Sequence, residues 1–271
     1  MGLRQLLARS LLALNHGIFP TVSPSTAGKT SALVFAPHPD DEVLGCGGVL
    51  AIKAQAGMRV KVVVMTDGRT SHSKHIDAIQ LAAIRRTEAQ EAGEILGVSA
   101  SYQFLEFEDN RLARHRESAL SRVVDIIQEF RPEEVFVPHR RDVISDHVET
   151  YRIVRRAVER VGKPVVLLEY PIWLWNVWPW TSNLRSDERG IFARASANFR
   201  DIVEIVLACR ARFDIGGVKD TKRAALNAYR SQMQRLNGNP GWAVLSDVAS
   251  GEFLKRFQSD VEMFRRTDYR P

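Results

Sequence analysis

Short apolar runs alternate with helical patterns along the middle of this chain. The runs Ala32–Ala36, Val60–Met65, Ser101–Phe107, Glu134–Val137 and Pro164–Glu169 have the length of strands. Between them lie helical patterns at about Leu44–Ala56, Ile76–Leu96, Ser118–Phe130 and Asp146–Val161. Apolar runs bounded by helices are the pattern of buried parallel strands joined by crossover helices. Gly97 and Gly162 each follow a helical stretch, where a residue free to turn left-handed ends a helix. The pattern predicts an α/β fold: a Rossmann-like, doubly wound, mostly parallel sheet of about five or more strands with a C-terminal elaboration.

The flanks read differently. Met1–Phe19 carries Leu3, Leu6, Leu7, Leu11, Leu12 and Leu14 with Arg4 and Arg9, an amphipathic helix that packs on the domain or a partner subunit, or lies on a membrane surface. Asn15 and His16 follow the leucines with no small-residue cleavage site, so a signal peptide is not expected. Leu6 stands where myristoylation of Gly2 needs Ser or Thr. Thr21–Thr30 reads as a linker, giving an N-terminal helix and linker over 1–30 and a domain over 31–271 with its core at about 32–235. Beyond residue 170, Trp173–Trp180 holds four tryptophans, open to core packing, a subunit contact or a sugar-stacking platform. Gly190–Ala193 and Asn198–Leu207 are short apolar runs of strand or helix, and a helix is expected from about Val218 to Leu236 with Leu226 and Met233 on its apolar face.

Composition narrows the partners. A formal net charge of +6 suits an anionic ligand, an acidic membrane surface or nucleic acid. The arginines are dispersed through helical segments without an aromatic-interleaved basic stripe, which argues against nucleic acid. Cys46 and Cys209 form no metal-type pair and fit a reducing, cytoplasmic setting, with inner-membrane contact left open. No run reaches the ~20 apolar residues of a membrane span.

The ends of the predicted strands carry the chemistry. After the first comes His38-Pro39-Asp40-Asp41-Glu42, one imidazole and three carboxylates at a strand-to-helix turn. Open α/β sheets bind ligands beyond the carboxyl ends of their strands. Imidazole with carboxylate suits zinc or another divalent metal, with a carboxylate left over as a base. A catalytic zinc takes about three protein ligands and keeps a position open for water. His38 and one of the aspartates supply two, and the best third is His147, where the helix after the fourth strand begins. Asp146 beside it reads as a cap or an outer partner. His16, His72, His75 and His115 are expected to be solvated, with the His72–His75 loop left open as a border of the pocket. Gly45-Cys46-Gly47-Gly48 is a weak phosphate-loop candidate because it falls inside the predicted helix.

With these residues the chain resembles the PIG-L / LmbE-like zinc-dependent N-deacetylases, whose hallmark is Ala/Pro-His-Pro-Asp-Asp-Glu after the first strand. Thr66-Asp67-Gly68, Arg85-Arg86-Thr87-Glu88 through Val98, Phe104-Leu105 with Asp109, Asp146-His147 and Lys222–Gln232 fit the family pattern in order, covering roughly 32–235. The resemblance implies that His38, Asp41 and His147 bind zinc and that Asp40 is the general base. It implies that Glu42 orients a ligand or the helix start, and that Arg86 and Asp109 lie near the sugar of an N-acetylated amino sugar or glycoconjugate, N-acetylglucosamine-type or lipid-linked. A homo-oligomer is left open. One position departs from the pattern: Ile144 stands where the family usually carries a catalytic histidine. Isoleucine neither stabilises an oxyanion nor protonates an amine, so His139, Arg140 or Arg141 would have to substitute, or the chain is a zinc-retaining, weakly active or non-catalytic relative.

Overall fold

A computed structural model describes residues 2–183 and 191–270. Its strands are β1 (Thr21–Val22), β2 (Ala32–Ala36), β3 (Val60–Thr66), β4 (Tyr102–Phe107), β5 (Glu134–Pro138), β6 (Val165–Tyr170), β7 (Ala211–Asp214) and β8 (Val261–Tyr269). The helices are α1 (Leu3–Ile18), α2 (Pro24–Ala27), α3 (Asp41–Gln55), α4 (Ala78–Leu96), α5 (Arg116–Phe130), α6 (Ser145–Val161), α7 (Ile191–Val203), α8 (Lys219–Ala228) and α9 (Arg230–Met233). The strands form one eight-stranded sheet in the order β1-β7-β8-β6-β5-β2-β3-β4. β2 to β6 are mutually parallel, and β8 runs antiparallel to both β6 and β7.

Strands β2, β3, β5 and β6 are mostly apolar because the sheet is covered on both faces. Successive side chains of a strand point to opposite sides. Val34, Val62, Val64 and Phe136 accordingly pack with residues of α3, α4 and α8, while Leu33, Phe35, Val63 and Val135 pack with α5 and α6. The order reverses at β2, which lies between β5 and β3. Such a switch point opens a crevice beyond the strand ends. In-register pairing of Ala32 with Glu134 and Val34 with Phe136 sets the segments after β2 and β5 side by side there.

The glycines after the acidic run serve packing. A Cβ on Gly45 would lie 2.3 Å from the Tyr170 ring, and one on Gly48 would lie 2.7 Å from Ile215. Their hydrogens let α3 press against β6 and the segment after β7, so this is a buried helix and not a phosphate loop. Lys222 on α8 donates to the Leu44 carbonyl (2.9 Å) and to Glu262 of β8 (2.7 Å), and Glu262 accepts from the amides of Gly48 and Val49. This buried ion pair ties the C-terminal third of the chain to the helix that follows the acidic run.

The flanks correct several expectations. The linker over Thr21–Thr30 instead contains β1 and α2, and β1 pairs with β7, so the N-terminal segment joins the sheet. The expected helix Val218–Leu236 breaks at Tyr229 into α8 and α9, since Tyr229 adopts φ −76°, ψ 63°. The runs Gly190–Ala193 and Asn198–Leu207 are helical from Ile191, in α7 and a π turn over Glu204–Ala208; Gly190 lies outside the described residues. β7 and β8 went unpredicted. Trp175 and Trp180 are core, packed edge to face at 5.4 Å.

Candidate metal centre

β2 ends at Ala36, and the chain turns through Pro37, His38 and Pro39 into α3. Asp40 makes the turn with φ 116°, a conformation that costs a residue with a side chain roughly 1–3 kcal/mol and is characteristic of functional turns. The strain is held by bonds on every side. The Asp40 amide donates to Glu42 Oε2 (3.2 Å), the Leu44 amide to the Asp40 carbonyl (2.9 Å), and the Arg85 guanidinium to the Pro39 carbonyl.

Asp41, in the first turn of α3, is the hub. Its Oδ2 accepts from the His38 amide (2.9 Å) and lies 3.1 Å from His38 Nδ1 and 3.2 Å from His147 Nε2. The two imidazoles sit 5.2 Å apart, centre to centre. Outer partners fix each ring: His147 Nδ1 meets Asp142 Oδ2 at 3.0 Å, and His38 Nε2 meets Asp109 Oδ1 at 3.2 Å and Asp146 Oδ2 at 3.6 Å. A carboxylate behind a histidine selects the tautomer whose other nitrogen carries a lone pair. Both histidines thus turn toward Asp41 the nitrogen that, once deprotonated, offers its lone pair to a metal.

His38, Asp41 and His147 offer donor atoms within 4.8 Å of one another, as do His38, Asp109 and Asp146. The first set holds two imidazoles and the second only one. Asp146 already accepts from the Asn110 and Leu112 amides, and Asp109 from the Thr70 amide and hydroxyl. His147 Nε2, by contrast, is buried without a hydrogen-bond partner. An orphaned imidazole nitrogen beside a carboxylate and a second imidazole is a donor set that fits zinc.

The charges follow from this crowding. Burial would lower the proton affinity of both histidines, but their carboxylate neighbours outweigh it: His147 is raised to about 9 by Asp41 and Asp142, and His38 well above its usual value by Asp109, Asp146 and Asp41. Asp41 is held far below the carboxylate range despite its burial, chiefly by His147. Asp40 behaves oppositely. Burial pushes it up to about 8, with Asp41 and Glu42 adding to the rise and the nearby Arg85 charge opposing it.

A cavity of about 190 Å³ opens onto this cluster. His38, Asp40, Asp41 and Ile144 line its floor, with Arg85, Asp109, Thr70, Ser71 and Asn110 around them and Trp173, Gln232 and Leu245 from the C-terminal third. Arg85 is the cavity arginine, with Nη2 3.3 Å from Asp40 Oδ2. Arg86, expected at the sugar, is exposed, paired with Glu106 and laid over the Phe104 ring at 4.7 Å. Adjacent helical residues point about 100° apart, and the buried stripe of α4 runs through Leu81, Arg85, Glu88 and Ala92. That spacing was in the sequence and would have chosen Arg85.

Other expected residues are placed as follows. His139 is fully buried and turned to Glu204, 3.4 Å away, and does not line the cavity. Arg140 and Arg141 pair with Glu204 and Asp201. Glu42 sits beneath the turn, accepting from the Tyr102 and Tyr229 hydroxyls, with burial raising it to about 6. His72 is not solvated: it is buried and stacked on Trp242 at 4.2 Å, beside the cavity residue Ser71. Of the tryptophan run left open above, Trp173 lines the cavity. Asp142 and Gln232 were not anticipated as site residues; Asp142 lies between β5 and α6, shortly before His147.

Residues 33–158 match the sequence model of PIG-L, described as GlcNAc-PI de-N-acetylase. An Escherichia coli (strain K12) protein named uncharacterized deacetylase YaiS is 34% identical over 134 residues, 47% of this chain and 68% of that protein. Diacetylchitobiose deacetylase of Thermococcus kodakarensis is 33% identical over 107 residues, 39% of each chain. The structure of N,N'-diacetylchitobiose deacetylase from Pyrococcus horikoshii matches 98% of this chain and 93% of its own, with a TM-score of 0.62 at 18% identity, a likeness of fold. The matched segment carries His38, Asp41 and His147 together, and this chain belongs to the PIG-L family.

Proposed function

We propose that this chain is a zinc-dependent N-deacetylase acting on an N-acetylated amino sugar or glycoconjugate of the N-acetylglucosamine type. The observation that carries the reading is the orphaned His147 Nε2 facing Asp41 and His38, with Asp40 directly beside them. His38, Asp41 and His147 would hold the ion. Zinc in such a site polarises a carbonyl and acidifies water, which an unreactive amide requires. Asp40 is the base: its proton affinity is matched to transfer near neutral pH, and Arg85 fixes its carboxylate. Asp109 and Asp142 hold the histidines in register. Thr70, Ser71, Asn110 and Gln232 offer hydroxyls and amides to a sugar beside the Trp173 face.

Zinc affinity should climb with pH. The histidines of the metal-free site hold protons up to about pH 9 at His147, and these must leave before the nitrogens can bind metal. Calorimetry at near-neutral pH in buffers of different ionisation enthalpy should register proton release that fades toward about pH 9 and above. Affinity that stays constant between about pH 6 and pH 9 contradicts the assigned ligands.

Ile144 motivates a second reading, a zinc-retaining protein of little or no activity. It lines the cavity where a donor would help, and losing an oxyanion donor costs roughly 100- to 1,000-fold in rate. Amine release from a panel of N-acetylglucosamine conjugates by the zinc-loaded protein separates the two. Turnover abolished by a chelator is expected; zinc-loaded protein inert on every conjugate leaves the second reading standing. Ile144→His should raise whatever rate is seen.

A further inference from the structure

Helices α1 and α7 leave an apolar surface uncovered. On α1, Leu3 is 85% exposed, and Leu6, Leu7, Leu14 and Ile18 are exposed with it. On α7 and the π turn, Phe192 is 88% and Phe199 64% exposed, followed by Val203 and Leu207. Within each element these positions recur at the spacing of one helical stripe. The two elements adjoin. Asn15, fully buried, donates to the Val206 and Cys209 carbonyls at 2.8 and 3.2 Å, which sets α1 against the π turn that carries Leu207. The Asn15 side-chain oxygen accepts from Arg212, and β1 follows directly into the sheet, so α1 is fixed with Leu11 and Leu12 on the core and Leu3, Leu6, Leu7 and Leu14 outward.

Charge selects the occupant. Arg9, Arg200 and Arg210 are exposed on these segments. α1 has no acidic residue, and the carboxylates of α7 and the π turn face the protein: Asp201 is buried against Arg141, and Glu204 pairs with Arg140. Two copies joined through this face would bring arginines together without exposed carboxylates from these elements to offset them. An anionic surface meets both features. No helix among the described residues is long and apolar enough to cross a membrane.

We infer that α1 and α7 form a peripheral docking face for an anionic phospholipid surface, the leucines and phenylalanines entering the acyl boundary and the arginines meeting the headgroups. The face is joined to the cavity by one segment: Trp173 lines the cavity wall, while the Trp178 carbonyl accepts from Asn198 of α7 and the Pro179 carbonyl from Arg4 of α1. A docked protein would thus hold its cavity at a fixed orientation to the lipid. The inference is independent of the substrate.

Sedimentation of the full chain with vesicles of equal parts phosphatidylglycerol and phosphatidylcholine, and of phosphatidylcholine alone, tests it. The wild type should pellet with the anionic vesicles and be released by about 0.5 M salt. Leu14→Glu with Phe199→Glu should lower the bound fraction about tenfold or more. Arg9→Gln with Arg200→Gln and Arg210→Gln should remove the preference for phosphatidylglycerol, a readout that survives if the first pair fails to fold. Wild-type protein remaining in the supernatant with both vesicle types overturns the inference. So does a dimer in light scattering that Leu14→Glu dissolves, which would make the face a contact between copies.

Discussion

Asp40→Asn should lose roughly 100- to 10,000-fold in deacetylation rate while keeping its full complement of zinc. The amide has the shape of the carboxylate, and asparagine tolerates positive φ better than most residues, so the turn at φ 116° survives. What it lacks is proton affinity. Asp40 belongs to neither donor set, so removing its charge leaves the histidines and Asp41 in place. Amine release from an active conjugate, read beside the metal content of the same sample, checks both halves. Full activity in the variant removes Asp40 as the base; loss of metal together with activity makes it part of the metal site.

The central strands were legible because a parallel sheet buried on both faces keeps β2, β3 and β5 mostly apolar, with Lys61 the one charge inside β3 and Glu134 only opening β5. The sheet's other edge was not. β1 has two residues and β7 four, too short for a periodic signal. β8 carries Arg265, Arg266 and Asp268, which read as surface until Arg265 is seen paired to the buried Glu169. The floor of the site was readable because its donors sit at two strand ends that the topology forces together. The walls were less so, since Trp173, Gln232 and Leu245 arrive from segments remote in sequence from the strand ends. Arg86 shows where motif position falls short, since one residue of helical phase separates it from the cavity, and His139, offered as a substitute from the same loop, is turned instead toward the half-buried Glu204.

His147→Ala should abolish tight zinc binding, because it removes the one buried imidazole nitrogen in the cluster that has no other partner. Asp142→Asn should weaken binding roughly 10- to 100-fold, since it frees the His147 ring to adopt the wrong tautomer. Both effects require that the ion sit between His38, Asp41 and His147 and not among His38, Asp109 and Asp146, which offer only one imidazole. X-ray absorption at the zinc edge of the loaded wild-type protein distinguishes the two sets directly. Two imidazole nitrogens at about 2.0–2.1 Å are predicted, reduced to one in any zinc that His147→Ala still holds. A single imidazole in the wild-type spectrum would place the metal in the other set and contradict the site on which the proposed chemistry depends.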